Sequence, residues 1–372
     1  MSTTTLVDTT SSKIAVALLD ARRKAGSPAM GMVLTLIVVC SESELDAALE
    51  ASLEAGREHS SRVLIVVSGR SGRGSRSSSI DAEVRVGDGI PGEAVILRMH
   101  GAAAAHPASV LRPLLLSDSP VVVFWPGTSP VRPADDEIGQ LGRRRLTDSM
   151  GTGRPLVSLI NRAENHAPGD TDLTWTRITP WRSLLAAALD QYPARVLSGT
   201  VEAERNNASA NLLAAWLQSR LNVPVVRRTS PGPGITAVRM TTAAGDIAIT
   251  RPDGLIASYS VPGQPNRIVA LKRRRVANLI AEELRRMDPD DVFEAALQAL
   301  LAHDGNRAVG TAPRPVPVKP PTLRTPAKKT SPAKKTAAKK TGASKKTEPL
   351  AKKTPVKKAP VKKTAAKKTA GG

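Results

Sequence analysis

One cysteine, five histidines and eight aromatic residues are all that this 372-residue chain holds of the types that most often carry chemistry or anchor a core. With Cys40 alone, an internal disulfide and a multi-cysteine zinc site are excluded, and the usage fits a reducing compartment. Of the histidines only His100 and His106 are close, and a spacing of six is not a helical metal-ligand spacing. There is no GxxxxGK[ST] phosphate loop and no GxSxG nucleophile elbow. The string Gly87-x-Gly89-x-x-Gly92 matches the dinucleotide fingerprint, but Pro91 lies inside it and residues 93–99 read as a strand where the fingerprint needs a helix. A hairpin-type turn is expected there. No basic-then-apolar signal pattern opens the chain, and the apolar run at 30–39 is half the ~20 residues that a bilayer span needs. The expectation is a soluble, cytoplasmic protein with no membrane contact, no cofactor and no metal.

Acidic residues are scarce only in one place. Residues 310–372 carry 17 Lys and 2 Arg against the single acid Glu348, a net +18, while residues 1–309 carry 35 basic against 32 acidic side chains, or +3. Nearly all of the formal charge of +21 thus belongs to one segment, and the overall charge says little about the folded part. Residues 306–372 contain no aromatic side chain and read as a disordered, extended polycation. Its paired lysines are Lys328, Lys329, Lys334, Lys335, Lys339, Lys340, Lys345, Lys346, Lys352, Lys353, Lys357, Lys358, Lys362, Lys363, Lys367 and Lys368. Such a repeat can hold nucleic acid or another polyanion without sequence preference and with steep salt dependence.

Ahead of the tail the pattern is α/β. A capped helix over 9–26 precedes an apolar strand at 33–39, a helix at 43–58 and a second apolar strand at 62–67. That strand–helix–strand unit implies parallel pairing. A Gly/Ser/Arg loop over 68–79, strands at 82–86 and 94–99, a helix near 107–116, a strand at 121–125 and a helix at 155–165 complete a mainly parallel-sheet α/β domain, residues 1–165. Residues 170–305 read as an α+β domain. It contains helices at 180–189 and 208–221 (the latter strongly amphipathic), strands at 196–203 and 223–228, and a meander over 235–240, 246–251 and 255–260. Helices at 268–286 and 290–303 close it.

The aromatic residues that do exist are concentrated. PGDTDLTWTRITPWR, residues 168–182, holds Trp175 and Trp181 and sets Asp170 and Asp172 ahead of Arg177 and Arg182. Asp170 and Asp172 allow an acid/base pair or metal site, or else Asp170 is a turn residue and Asp172 either caps a helix or pairs with Arg177. The tryptophans allow a partner-contact surface or a core at the domain junction. Phe124-Trp125-Pro126-Gly127 ends a parallel strand, where α/β sheets present binding crevices; it is either such a crevice, open to a small phosphorylated ligand, or a core cover. Cys40, at the end of a buried strand, reads as a packing thiol.

These strings carry a resemblance. PGDTDLTWTRITPWRSLLAAALDQ, VVVFWPG, DTTSSKIAVAL and VLTLIVVCSESELDAALEAS resemble the glucose-6-phosphate dehydrogenase assembly protein (OpcA) family of actinobacteria and cyanobacteria, across residues 6–305. The tail lies outside the resemblance and is similar to histone-H1-like tails. The resemblance implies no intrinsic catalysis, and a partner protein that favours the assembly and active state of glucose-6-phosphate dehydrogenase in the oxidative pentose phosphate pathway. Its signature falls on Asp170, Asp172, Trp175, Arg177, Trp181 and Arg182, and its strand-end motif on Trp125, Pro126 and Gly127. The alternative is a polyanion-binding protein acting through the tail.

Overall fold

The computed structural model describes residues 2–26, 31–68, 78–87 and 92–309. The paired lysines of 328–368 lie outside those residues, as do most of the Gly/Ser/Arg loop and the middle of the Gly87–Gly92 turn. Residues 1–312 form one compact unit, and two sheets run through it.

The first sheet is built on β1 (Ser2–Leu6), β2 (Leu34–Cys40), β3 (Ser61–Val67), β4 (Ser79–Val86), β5 (Gly92–His100), β6 (Val121–Trp125), β7 (Arg144–Thr147) and β8 (Asp170–Asp172). Their spatial order is β1-β4-β5-β3-β2-β6-β7-β8. Every pairing from β5 across to β8 is parallel, and only β4 and β1 run antiparallel at one edge. The near-continuous apolar runs of β2, β3 and β6 follow from this, since helices cover both faces of a parallel sheet. On one side is α1 (Ser11–Ala25), whose Thr10 cap accepts from Lys13 N–H and whose Gly26 closes the helix at φ 60°. It packs Ile14 and Leu18 against Leu64, Val84 and Trp125. On the other side is α2 (Leu45–Ala55), with Leu45, Ala48 and Leu49 on Leu36, Val38 and Ile65. Each such buried aliphatic side chain contributes roughly 1.5–3 kcal/mol. Short helices α3 (Ala102–Ala105) and α4 (Pro107–Leu111) carry the chain to β6, and α5 (Pro155–Glu164) carries it from β7 to β8.

From β2 the sheet grows through β3 to β5 on one side, then restarts beside β2 with β6, β7 and β8. The direction of growth reverses between β2 and β6. In an open α/β sheet that reversal is where a ligand crevice forms.

The second sheet follows α6 (Leu173–Arg177) and α7 (Thr179–Gln191). It begins with the parallel pair β9 (Val196–Ala203) and β10 (Val225–Thr229), joined by α8 (Ala208–Leu221). An antiparallel meander follows: β11 (Ile235–Thr242), β12 (Gly245–Thr250), β13 (Ile256–Ser260) and β14 (Arg267–Ala270). The order is β10-β9-β11-β12-β13-β14. α9 (Val276–Glu283) and α10 (Asp291–Val309) end the described chain. One face of this sheet, with Val201, Val238, Met240 and Ile249, packs on Leu212, Leu213, Leu185 and Leu297 of the helices. The opposite face carries half-buried Thr200, Arg239, Thr241 and Ser258 and no core cluster, with Val226, Ile256 and Ile268 exposed.

Two expectations need correction. The helix expected over 268–286 is a strand, β14, then an extended link, then the short α9. Ile268 and Val269 are β-branched and complete the meander against β13, whereas Lys272–Arg275 is a like-charged run that a helix would crowd. The helix at 208–221 is not amphipathic: Ala208, Ser209, Ala210, Ala214 and Ala215 are buried along with its leucines, because it lies between the sheet and α10 and its small residues let both approach.

The chain also returns. α9 places Leu279, Ile280 and Leu284 against α2 and the first sheet, and Arg275 pairs with Glu50 and Glu54 across that contact. The first layer therefore includes a helix contributed from beyond the second sheet.

Candidate functional site

Segment 168–182 leaves the edge of the first sheet and enters the helices over the second. Gly169, at φ 90°, turns the chain so that β8 pairs in register with β7, Thr147 opposite Asp172. Asp170 pairs with Arg145 and accepts from Ala167 N–H at 3.0 Å. Asp172 is 1% exposed and caps α6. Its carboxylate accepts from Thr174 N–H (2.9 Å), Thr174 Oγ1 (2.7 Å), Thr147 Oγ1 (2.6 Å), Ser149 Oγ (2.7 Å) and Ser149 N–H (3.0 Å). Those five donors use its acceptor capacity. The two aspartates are thus bound to separate partners, and neither oxygen pair is left to act on a substrate.

The sequence allowed Asp172 to pair with Arg177. Instead Arg177 makes a two-pronged pair with Asp148, at 2.6 and 2.7 Å, because the Asp172 carboxylate is already enclosed by hydroxyls and amides. Burial pushes the Asp148 carboxyl above the usual carboxylate range, against the pull of Arg177. Trp175 is 1% exposed, donates its indole N–H to Asp290 at 2.8 Å and packs on Phe293. The Arg182 guanidinium stacks 3.5 Å from its ring centre, and burial lowers the pKa of Arg182 to about 10. Trp181, 2% exposed, lies under Arg251. Thr176 and Thr179 donate to Glu283 and Glu282, and Arg144 binds Glu283 at 2.7 Å. Six elements, β7, β8, α6, α7, α9 and α10, therefore meet on this stretch.

At the other motif, Phe124 and Trp125 are buried in opposite faces of the first sheet. The crevice between the ends of β2 and β6 is occupied by the chain itself. Glu44 folds back to accept from Ser41 N–H at 2.8 Å and Ser41 Oγ at 2.7 Å. The same carboxylate lies flush on Gly127, where a Cβ would come within 2.0 Å of Glu44 Oε1. A dinucleotide needs a glycine-rich turn of free amides here. The turn Ser41-Glu42-Ser43-Glu44 has no glycine and presents carboxylates, so these residues do not fit one. Cys40 beside them is buried, and burial together with Glu44 and Glu42 raises its pKa to about 11, which keeps the thiol protonated and inert. Among the described residues, no three His, Cys, Asp or Glu side chains converge as a metal site would require.

Sequence reasoning picked out the tryptophans and aspartates but missed Asp148, Glu283 and Asp290, which complete their interactions. Glu283 and Asp290 lie more than 100 residues from the groups they meet and Asp148 lies 29 from Arg177, so none leaves a local signal. Glu44 was detectable: an acid three residues after Ser41, ahead of an apolar run, is a capping-box spacing.

Comparison with known proteins gives a consistent assignment. Residues 52–164 match the family model of the glucose-6-phosphate dehydrogenase subunit N-terminal domain, and residues 168–297 that of the C-terminal domain. These are stretches of 113 and 130 residues, 243 of the 372 in all. A curated relative, the putative OxPP cycle protein OpcA of Synechocystis sp., is 27% identical over 155 residues, which are 38% of this chain and 32% of that protein. The match spans about a third of the length of that relative. Among solved structures, an oxidoreductase from Sinorhizobium meliloti aligns with 74% of this chain and 88% of its own, at 13% identity and a TM-score of 0.35, a likeness that carries no argument.

Proposed function

Since the chain belongs to the glucose-6-phosphate dehydrogenase subunit (OpcA) family, we propose that it is a non-catalytic partner that assembles and activates that dehydrogenase for the oxidative pentose phosphate pathway, in the cytoplasm. The observation that carries the reading is the pair of family matches, one over each sheet. The Glu44 carboxylate closed onto Gly127 supports the non-catalytic half of it, since the crevice that an α/β enzyme would use is filled from within.

Activation requires that the chain bind the active form of the dehydrogenase more tightly than the inactive form, because a partner with equal affinity for both shifts nothing. The surface proposed for this contact is the uncovered face of the second sheet. Its centre holds Ser, Thr and Ala side chains around one internally neutralised pair, Arg239 with Glu202, and Val226, Ile256 and Ile268 offer apolar anchors. Segment 170–182 serves the contact indirectly, by holding the second sheet on the first.

The test is to mix the chain with the dehydrogenase and measure complex size and turnover together. A larger complex with raised activity is expected. Ile268→Asp, at a position 80% exposed, should leave the fold intact and weaken association about tenfold or more. Unchanged size and activity at saturating wild-type chain would refute the role; normal association of the Ile268 variant would refute the surface.

A further inference from the structure

A second concave site lies away from the sheet-end crevice, between α7, the start of α8, the end of β12 and the link after β14. It is a cavity of about 80 Å³ lined by five cations, Arg177, Arg251, Lys272, Arg273 and Arg274, with no carboxylate in its wall. Two of these cations are neutralised from outside, Arg177 by Asp148 and Arg274 by Glu282. Lys272 and Arg273 have no ion-pair partner among the described residues and are exposed at the mouth.

Arg251 is the informative one. It is 5% exposed, and its two terminal nitrogens donate to the carbonyls of Leu271 (2.8 Å) and Ile235 (2.9 Å). Its Nε donates to nothing, and no carboxylate touches it. A buried guanidinium normally has an anion beside it, because removing an unpaired charge from water is costly. Burial, reinforced by Arg273 and opposed more weakly by the charge of Asp253, lowers the pKa of Arg251 to about 10. A second orphan faces the same space: Ser209, 3% exposed and one residue inside α8, has a hydroxyl without a partner. It sits in the first turn of a 14-residue helix, capped by Asn207 at the Ala210 amide, where the helix dipole favours negative charge.

A closed core would not keep two buried donors and two unpaired cations around one void. We propose that this cavity binds a phosphate dianion, free or as the head of a phosphate monoester, held by Arg251 and Ser209 and screened at the mouth by Lys272 and Arg273. The size sets the class. The volume is several times the roughly 10–15 Å³ that a water requires, enough for a phosphate group. It is far below the roughly 300–1,000 Å³ of pockets that enclose a drug-sized ligand, so the rest of a monoester must extend past Arg273 into solvent.

Titration of the full-length chain by calorimetry and by thermal unfolding tests this, with inorganic phosphate, a sugar monophosphate and the unphosphorylated sugar as probes. Saturable binding of one equivalent and a raised unfolding midpoint are expected with a phosphate probe and not with the neutral sugar. Comparing the two phosphate probes tells a free-phosphate site from a monoester site. Arg273→Ala and Ser209→Ala should each weaken binding about tenfold, the usual effect of one charge-assisted hydrogen bond. Both should leave the ligand-free midpoint near wild type, which Arg251→Ala need not. The lysine tail is common to every variant, so the differences isolate the cavity. Affinity that is the same in wild type, Arg273→Ala and Ser209→Ala would overturn the proposal. So would a chain that ignores both phosphate probes and responds only to an acidic protein surface. The experiment needs no dehydrogenase, so its failure is distinct from failure of the assembly role.

Discussion

Replacing Asp172 by Asn removes a charge and changes almost no volume, which makes it the sharpest test of what holds segment 168–182. The wild-type carboxylate receives five donors, two N–H groups and three hydroxyls. The hydroxyls can rotate to accept, but the amides of Ser149 and Thr174 cannot, and they bind opposite oxygens at their shorter contacts. Whichever way the Asn side chain turns, its NH₂ meets one of those amides. Turned one way it takes the acceptor of Thr174 N–H, and turned the other it leaves Ser149 N–H only its longer contact to Oδ1 at 3.2 Å, so one buried amide bond is lost or weakened, at a cost of about 1–3 kcal/mol. The remaining bonds lose their ionic character and about half their strength. The sum is about 4 kcal/mol, well above the roughly 1 kcal/mol of an ordinary lost helix cap. With a urea slope of about 3 kcal/mol per molar, the unfolding midpoint followed by tryptophan fluorescence should fall by ~1.3 M. Asp246→Asn, at the exposed start of β12, should move it by less than about 0.2 M. An Asp172→Asn midpoint within 0.2 M of wild type would refute the reasoning, and with it the claim that a satisfied buried carboxylate organises the junction of β7, β8 and α6.

The other tests address burial in the same way. Trp175→Phe deletes the indole N–H to Asp290 and weakens the Arg182 stack, and should cost about 1–2 kcal/mol in urea unfolding while leaving dehydrogenase activation unchanged. Loss of activation at full folding would instead make Trp175 a direct contact. Cys40 should resist a disulfide reagent at pH 8 and react fully in urea. A folded pKa of about 11 against an ordinary 9.0 means that the unfolded chain ionises first. Stability carried by this thiol is therefore intact below about pH 9 and declines as pH climbs towards 11, a decline that Cys40→Ser should remove from the pH dependence of unfolding.

Residues 34–40, 61–67, 121–125 and 196–203 could be read from the sequence because strands buried by helices must be apolar on the covered faces, and that demand is local. The strands that were missed are stabilised differently. β7, Arg-Arg-Leu-Thr, and β8, Asp-Thr-Asp, are buried although polar, because Arg144 is matched by Glu283 and Arg145 by Asp170. An arginine that will be neutralised 139 residues later looks like any surface arginine. For the same reason the sequence pattern runs α9 back over β14 and does not show its packing on α2. Its apolar stripe was visible, but its packing against α2 depends on the chain's return.

The two concave sites invert the usual arrangement of an α/β protein. At the reversal point between β2 and β6, where the fold offers helix N-termini to a nucleotide, Glu44 takes its hydrogen bonds from Ser41 and leaves no room on Gly127. The negative charge is covalently part of the chain, so the position cannot also recruit a phosphate. Beside the second sheet the balance is opposite. Donors are assembled by Arg251, Ser209, Lys272 and Arg273, and no carboxylate lines the cavity they share. A chain selected only for a quiet interior would have neutralised Arg251, as it did Arg144 with Glu283 and Arg145 with Asp170. Buried Arg144 and Arg145 are matched by carboxylates, whereas buried Arg251, like Arg162, is met only by carbonyl oxygen; that Arg251 also lines an open cavity with Ser209, Lys272 and Arg273 argues that it is reserved for an anion from outside.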